Sequence, residues 1–187
     1  MFGSEHLDVA KTRENMAMIY KKQGHHDQAL EIYKSVLETK IRVCGHEHPD
    51  VATSFNNIGV VHRKKGDLEN TLVQYQKALE IRTRVLGSEH PDVAKSYNNI
   101  ANVYDNQDKY EEALEMHMKS LDIKTRIYGG DDHPDVATSF NNIRAAYEKK
   151  GDLENALVQH QKALEIRTRV FGADHPLTKK SERLAAQ

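Results

Sequence analysis

An asparagine recurs at the same position of four similar segments of the chain. Its side-chain amide, repeated at regular spacing, is the first candidate for a binding group. The four residues are Asn15, Asn57, Asn99 and Asn142. A side-chain amide has one acceptor and two donors, so a row of them could bind a peptide backbone without selecting its side chains. Alternatively, each amide ties its helix to the neighbouring repeat, or recent duplication left it unchanged. Asparagine costs a helix about half a kcal/mol relative to alanine, which favours a specific reason for its presence.

The histidines raise the question of a metal site, because the chain has 11 of them. The two tight clusters, His46-Glu47-His48 and His25-His26-Asp27, both fall in predicted turns between helices. A zinc site needs about four converging ligands at set spacings, and neither cluster supplies them. Five histidines simply recur at the junctions between repeats: His6, His48, His90, His133 and His175. We therefore predict no metal site.

No other arrangement of residues indicates catalysis. Cys44 aligns with Leu86, Tyr128 and Phe171, and this apolar column makes it a core residue rather than a nucleophile. The recurring acidic residues lie at predicted helix starts, where the helix dipole explains them. No glycine-rich phosphate loop follows a strand. The sequence thus predicts a protein that is not an enzyme and has no cofactor.

Composition restricts the partners and the compartment. The 187 residues include 27 Lys and Arg against 28 Asp and Glu, so charge gives no reason to expect nucleic acid or an acidic membrane as a partner. No segment approaches the roughly 18 apolar residues that a membrane span requires. The first residues lack the basic flank and apolar core of a secretory signal. A single cysteine suits a reducing compartment, and we expect a cytoplasmic protein.

An internal repeat determines the predicted organisation. The phrase HPDVA starts at His48, His90 and His133, with degraded forms at His6 and His175. Successive starts are evenly spaced at about 42 residues, with one extra residue in the junction before His133. This spacing predicts a single array over residues 1–187. Its repeats lie at about 6–47, 48–89, 90–132 and 133–174, followed by a polar capping stub at 175–187.

Each repeat is predicted to form two helices. Pro49 suits the first position of a helix, and Asp50 follows it near the positive end of the helix dipole. Gly66 and Asp67 are expected to end the first helix and cap the second. The second helix carries an apolar stripe at steps of three or four, formed by Leu68, Leu72, Tyr75, Leu79 and Leu86. No segment alternates like a strand, so the fold is predicted to be all-α, with stacked helix pairs that bury each other's apolar faces.

The second repeat carries a characteristic set of aromatic, small and apolar positions: Phe55, Ile58, Gly59, His62, Gly66, Thr71, Tyr75 and Ala78. These positions resemble the skeleton of the tetratricopeptide repeat (TPR). The repeat length of about 42 residues and the phrases NNI and HPDVA are similar to the kinesin-light-chain type of this repeat. The resemblance covers essentially the whole chain and implies a right-handed α-solenoid. It implies less about function, because such repeats occur in many unrelated proteins.

In the TPR family the first helices of successive repeats line a concave groove that holds an extended peptide. In kinesin-light-chain-like grooves, the matching asparagines are understood to hold the peptide backbone. The resemblance therefore implies a set of peptide-binding residues on the first helices. The set comprises Asn15, Asn57, Asn99, Asn142, Asn56, Asn98, Asn141, Asn102, Arg63, Lys21, Lys95 and Asp105.

Charge and packing vary within this predicted groove. One column reads Lys21, Arg63, Asp105 and Glu148, so a bound peptide would have an acidic segment toward the first two repeats. Arg144 departs from the family, because the other repeats have Ala17, Gly59 and Ala101 at this closely packed position. A buried, unpaired arginine costs several kcal/mol. We therefore expect the fourth repeat to open locally or to direct this side chain to water.

The predicted function is a non-catalytic protein–protein interaction module, an adaptor or scaffold that binds an extended peptide in its groove. The alternative is a structural rod whose copies associate head to tail without a dedicated peptide ligand. Residues 1–6 match the end of a repeat, which would leave an apolar N-terminal face open to another copy. Such head-to-tail contacts need not close into a ring.

Overall fold

The computed structural model describes the backbone of residues 2–179 and the side chains of residues 7–179. Every regular element in this range is a helix, which confirms the predicted all-α class. The helices are α1 (Phe2–Lys22), α2 (His26–Cys44), α3 (Pro49–Lys64), α4 (Leu68–Leu86), α5 (Pro91–Asn106), α6 (Tyr110–Ile127), α7 (Pro134–Lys150) and α8 (Leu153–Phe171). Among the described residues, no helix is long and apolar enough to cross a membrane.

The chain forms two compact units, Met1–Ser88 with α1 to α4 and Glu89–Gln187 with α5 to α8. In the first unit, Ala17, Ala29 and Tyr33 form a core with Ile58 and Val61 of α3. In the second unit, the buried residues of α7 form two core clusters. One contains Val136, Ala137, Phe140, Ala163 and Ile166, and the other contains Leu114, Ile143 and Ala146. Each unit therefore buries apolar surface both within its helix pairs and between them.

The repeated His-Pro-Asp phrase starts α3, α5 and α7 in the same way. Each proline is the first residue of its helix, as predicted. The histidine before it is the N-cap, and its Nδ1 atom accepts the backbone N–H of the aspartate two residues later at 3.1 Å. Because the first N–H groups of a helix have no partner inside the helix, this bond satisfies one of them. His48, His90 and His133 are therefore caps of helices.

The turn between α3 and α4 also follows the predicted chemistry. Gly66 adopts a φ of 79°, which favours glycine, and the Asp67 N–H donates to the carbonyl of His62 at 3.0 Å. The Asp67 carboxylate in turn accepts the Asn70 N–H at 3.1 Å and caps α4. These two residues set the close antiparallel approach of the helix pair.

The two ends of the array differ from the sequence prediction or lie partly outside the description. Helix α1 begins at Phe2, so residues 2–6 are helical rather than a junction. Leu7 replaces the proline that begins α3, α5 and α7, so nothing forces a helix to start there. Of the predicted capping stub, residues 180–187 lie outside the described residues. Residues 176–179 are helical, and Thr178 is fully buried.

Candidate functional site

In the first unit, the last turns of α1 and α3 form a basic cluster of Lys21, Lys22, Arg63 and Lys64. The pKa of Lys21 is lowered, chiefly by burial and further by the charges of the other three residues. Each of these three cations therefore repels Lys21. A bound anion would relieve this repulsion and compensate the buried charge. Lys21 and Arg63, both predicted from the sequence, belong to this cluster.

The predicted asparagines of the first unit differ in exposure. Asn15 on α1 is exposed, and Asn57 on α3 is half-buried. Asn56 is also half-buried and already interacts with other residues of the structure. Asn15 and Asn57 stand at equivalent positions one repeat apart.

In the second unit, two of the predicted amides are engaged in internal hydrogen bonds. The Asn142 Nδ2 atom of α7 donates to the Asn98 Oδ1 atom of α5 at 2.7 Å. Asn141 donates to the carbonyl of Ala137, one turn earlier in its own helix, at 3.0 Å. Asn99 also interacts within the structure, and Asn102 is half-buried. The bond from Asn142 to Asn98 joins the first helices of two neighbouring repeats. It agrees with the alternative in which this asparagine ties its helix to the next repeat.

A pocket of about 280 Å³ lies in the second unit, and two of the predicted residues, Lys95 and Asn98, line it. The rest of its lining is Pro91, Asp92, Lys124, Ile127, Tyr128 and Asp135. The Lys124 Nζ atom donates to Ser139 Oγ at 2.9 Å, and burial lowers the pKa of Lys124 while Asp135 opposes that shift. The pocket thus combines cations, carboxylates and an amide above an apolar wall.

Tyr128 fixes one side of this pocket. Its hydroxyl donates to Asp135 Oδ2 at 2.7 Å, and this bond is the main cause of a raised pKa for Tyr128. The ring stacks on His133 with the centroids 3.4 Å apart. Because His133 also caps α7, the start of that helix and the pocket wall are held together. The pocket is therefore shaped before any ligand enters.

The structure corrects the predicted role of Asp105. This residue is only 7% exposed, and its carboxylate lies 3.4 Å from the Nε2 atom of the buried His117 on α6. A short carboxylate cannot reach solvent from this position, whereas the longer Arg63, at the equivalent position of α3, extends to the surface. Asp105 therefore belongs to the interior of its helix pair and not to an exposed binding face.

Arg144 stays mostly buried, so its side chain is not directed to water as the second of the two predicted routes required. Its side chain is 18% exposed and forms an ion pair with Glu148, one turn later on α7. The Nε atom remains buried without a hydrogen-bond partner. The charge of Arg144 also contributes to a lowered pKa of Arg167 on α8, after the larger effect of burial. Glu148 is consequently engaged by its own helix.

Sequence reasoning missed Lys124, Tyr128 and Asp135 as parts of the site. One observation could have identified Lys124, because every second helix has a cation at this position: Lys40, Arg82, Lys124 and Arg167. Lys124 is half-buried, and a cation that recurs at a partly buried position calls for a polar function. Tyr128 stands in the column of Cys44, Leu86 and Phe171, and Phe171 stacks on His175 in the same way, with the ring centroids 4.5 Å apart. Only Tyr128 in this column has a hydroxyl, and the repeat pattern does not show that it reaches Asp135. Among residues 7–179, no group of three His, Cys, Asp or Glu side chains could hold a metal ion.

Comparison with known families matches most of the chain. Models described as tetratricopeptide repeat match residues 8–70 and 50–126, and a second such model matches residues 136–177. None of the curated proteins compared with the chain matches it.

Solved structures show the same repeat architecture. BtubC (BKLC) from P. vanneervenii is 28% identical with a TM-score of 0.79, over 90% of this chain and 66% of that protein, so the chain spans just under two thirds of its length. A candidate kinesin light chain of Podosopora anserina with nearly identical TPR-like repeats is 21% identical with a TM-score of 0.83, covering 97% and 86%. The N-terminal domain of stress-induced protein-1 (STI-1) from C. elegans is 26% identical with a TM-score of 0.54, covering 73% and 95%.

These similarities confirm the predicted TPR and kinesin-light-chain-like resemblance and the helix-turn-helix fold. Repeats of this kind generally mediate contacts between proteins. The chain belongs to the tetratricopeptide repeat family.

Proposed function

We propose that this chain is a non-catalytic adaptor module that binds an extended peptide on the face formed by the first helices of its repeats. The observation that carries the proposal is the pocket of about 280 Å³ in the second unit. It brings Lys95 and Asn98, both expected on that face, together with the half-buried Lys124. A preformed concavity with a few convergent polar groups and an apolar wall is the usual form of a binding site.

The pocket suits an acidic side chain of the peptide. Lys124 gives one of its three donors to Ser139, which leaves two for a ligand carboxylate entering the pocket. Lys95 is exposed at the rim and adds a second positive charge. The side chains of Ile127 and Tyr128 would cover the methylene groups of the same peptide residue. Asp92 and Asp135 limit the negative charge that the pocket accepts, which favours a single carboxylate.

The first unit supports the same class of ligand through a different arrangement. Its basic cluster presents four cations. Asn15 and Asn57 lie on the same two helices and could hydrogen-bond the peptide backbone. We propose that an acidic stretch of the peptide binds here by charge, without selection of side-chain shape. Such reversible recognition fits an adaptor or scaffold role. The free thiol of Cys44 fits a reducing compartment such as the cytoplasm.

The test is a display screen of proteome-derived peptides against the 187-residue chain, followed by titration of the enriched peptides. The Lys95→Glu/Asn98→Ala double variant removes two groups from the pocket without touching a core residue. Lys34→Glu is the matched control, because Lys34 is an exposed lysine on α2, a second helix. We expect enriched peptides to carry acidic residues and to bind the double variant at least tenfold more weakly.

Binding that is equal in the double variant and in Lys34→Glu would contradict a peptide site in this pocket. An absence of enriched peptides would remove the support for a peptide ligand and favour self-association of the chain. The Asn98→Ala change alone also breaks the bond to Asn142, so its unfolding free energy must be measured alongside binding. A loss of stability without a loss of affinity would assign this amide to repeat packing.

A further inference from the structure

The first helix pair has an apolar face that its counterparts in the chain bury. Met16 and Ile19 of α1 are 46% and 53% exposed, whereas Ile58 and Val61 at the same positions of α3 are 2% and 0% exposed. In α7 the corresponding residues, Ile143 and Ala146, are also buried. Val9 shows the same contrast, since it is exposed and its counterparts Val51 and Val136 are fully buried. We call the surface formed by Val9, Met16 and Ile19 the outer face of α1.

A pocket of about 260 Å³ extends this surface onto α2. Its lining is Arg13, Met16, Glu31, Ile32 and Ser35, and most of it is apolar. Gln74 and Gln159 stand at the position of Ile32 in the second and fourth repeats, and Met116 stands there in the third. The outer face of α1 thus continues into a concavity, to which Ile32 adds apolar surface.

The structure contains two examples of what covers such a face. In the first unit, α2 packs on α3, with Leu30 and Leu37 against the cluster that includes Ile58 and Val61. In the second unit, α6 packs on α7, with Leu114 and Leu121 in the cluster of Ile143 and Ala146. An ion pair completes each contact at the end of the covered helix: Asp27 with Lys65 at 2.5 Å, and Glu111 with Lys150 at 3.1 Å.

Both covering helices share one pattern, an acidic residue followed by leucines three and ten positions later. The first is Asp27, Leu30 and Leu37, and the second is Glu111, Leu114 and Leu121. We propose that the outer face of α1 binds an amphipathic helix of this pattern, acid-x-x-Leu-x6-Leu, supplied by a partner protein. The first leucine packs on Met16 and Ile19, and the acidic residue lies toward Lys22 at the end of α1. Gln23 stands at the position of Lys65 and Lys150, so the positive charge in α1 comes from the exposed Lys22, one residue earlier.

A second copy of this chain fits the face less well than a separate helix does. Helix α8 has the same pattern in Glu154, Leu157 and Leu164, and Leu157 is exposed. However, Thr178 packs on the end of α8, and its hydroxyl donates to the carbonyl of Gly172 at 2.9 Å. Residues 176–179 thus occupy the place where the start of α1 from another copy would have to lie.

The experiment uses a synthetic peptide with the α6 sequence, residues 110–127, acetylated and amidated at its ends. Leu114 of this sequence is buried in the folded chain, so a second folded copy could not bind through it and the peptide represents a partner helix. Methyl NMR of the 187-residue chain follows the titration, with Met16 on the face and Met118, exposed on α6, as the internal control. We expect the Met16 methyl resonance to shift with saturation and the Met118 resonance to stay in place. The peptide with Leu114→Asn and Leu121→Asn should bind at least tenfold more weakly.

A pair of chain variants locates the binding. Ile19→Glu places a charge on the exposed face and should weaken binding at least tenfold, because burial of an unpaired carboxylate is unfavourable. Val73→Glu is the matched control on an exposed position of α4 and should leave affinity unchanged. An unshifted Met16 resonance, or equal affinity of the two variants, would overturn the proposal. Sedimentation velocity of the chain without peptide measures whether it forms dimers. Dimers that Ile19→Glu dissociates would make the occupant a second copy and overturn the partner-helix assignment.

Discussion

The helix pairs α3–α4 and α7–α8 are near-copies that solve the same packing problem with different residues. Aligned from His48 and from His133, the two repeats differ at ten positions, and five of these are consecutive, 59–63 against 144–148. The ten in the earlier copy are Gly59, Val60, Val61, His62, Arg63, Thr71, Tyr75, Leu86, Ser88 and Glu89. The differences therefore concentrate where the first helix meets the second.

In α3–α4, Gly59 accommodates the Tyr75 ring. An added Cβ at Gly59 would lie 2.6 Å from Tyr75 Cε1, which is closer than real contacts allow. In α7–α8 the same pair is Arg144 and His160, and Arg144 forms an ion pair with Glu148 instead of packing under a large ring. Arg63 also becomes Glu148, so the charge at the end of the first helix is inverted. We infer that these substitutions form one set, in which packing and surface charge change together.

The largest expected effect comes from breaking this coupling in α3. Gly59→Arg introduces a side chain against the Tyr75 ring and should lower the free energy of unfolding by about 3 kcal/mol, the upper range for overpacking. The Gly59→Arg/Arg63→Glu/Tyr75→His triple variant reproduces the α7–α8 arrangement and should recover most of this loss. Urea unfolding followed by circular dichroism measures both. A harmless single variant, or a triple variant as unstable as the single one, would show that the three positions are independent.

The third helix pair sharpens the comparison at the position of Arg63 and Glu148. There Asp105 is buried against His117, so Asp105→Ala should leave the buried imidazole without its partner and cost about 2 kcal/mol. Arg63→Ala removes an exposed side chain at the equivalent position together with its hydrogen bond to Tyr75, and should cost no more than about 1 kcal/mol. Thermal and urea unfolding of the two variants provide the test. Equal costs would mean that burial does not distinguish the two positions.

A smaller effect of opposite sign is expected at Arg144. Arg144→Ala removes a buried Nε atom without a partner and a positive charge near Arg167, and it restores the Ala/His pairing of Ala101 and His117. The lost ion pair with Glu148 is worth only about 0.3–0.5 kcal/mol. We expect the unfolding free energy to rise by about 1 kcal/mol, which follows the cost of an unsatisfied buried polar group. A decrease of that size in urea unfolding would show that the arginine stabilises this helix pair.

The smallest effect concerns Thr71, whose counterpart in α8 is Ala156. The Thr71 hydroxyl donates to the Asp67 carbonyl at 2.6 Å within its own helix. Thr71→Ala loses one buried methyl group, about 0.8 kcal/mol, and gains helix propensity of about 0.6 kcal/mol. The net change in urea unfolding should stay within about 0.5 kcal/mol. A cost above about 1.5 kcal/mol, the upper range for the net contribution of one hydrogen bond, would mean that this bond holds the turn at Asp67.

Local patterns made the helices predictable, and side-chain reach limited the prediction of the site. Proline and glycine act through their backbone geometry, and aspartate acts through a short side chain that caps a helix. Pro49, Gly66 and Asp67 therefore predict the helix ends from the sequence alone. Helical spacing also shows which positions share a face. It does not show that a short Asp105 turns inward to His117 while a long Arg63 reaches solvent. The bond from Asn142 to Asn98 spans 44 residues, and no local pattern distinguishes it from a ligand contact.

The most direct test of the proposed function is hydrogen–deuterium exchange of the full chain with and without a screened acidic peptide. We expect added protection in α5, at the end of α6 and in the start of α7, which line the pocket, and at the ends of α1 and α3. We expect no change in α4 and α8. Protection confined to the second helices, or none at saturating peptide, would contradict a binding face on the first helices.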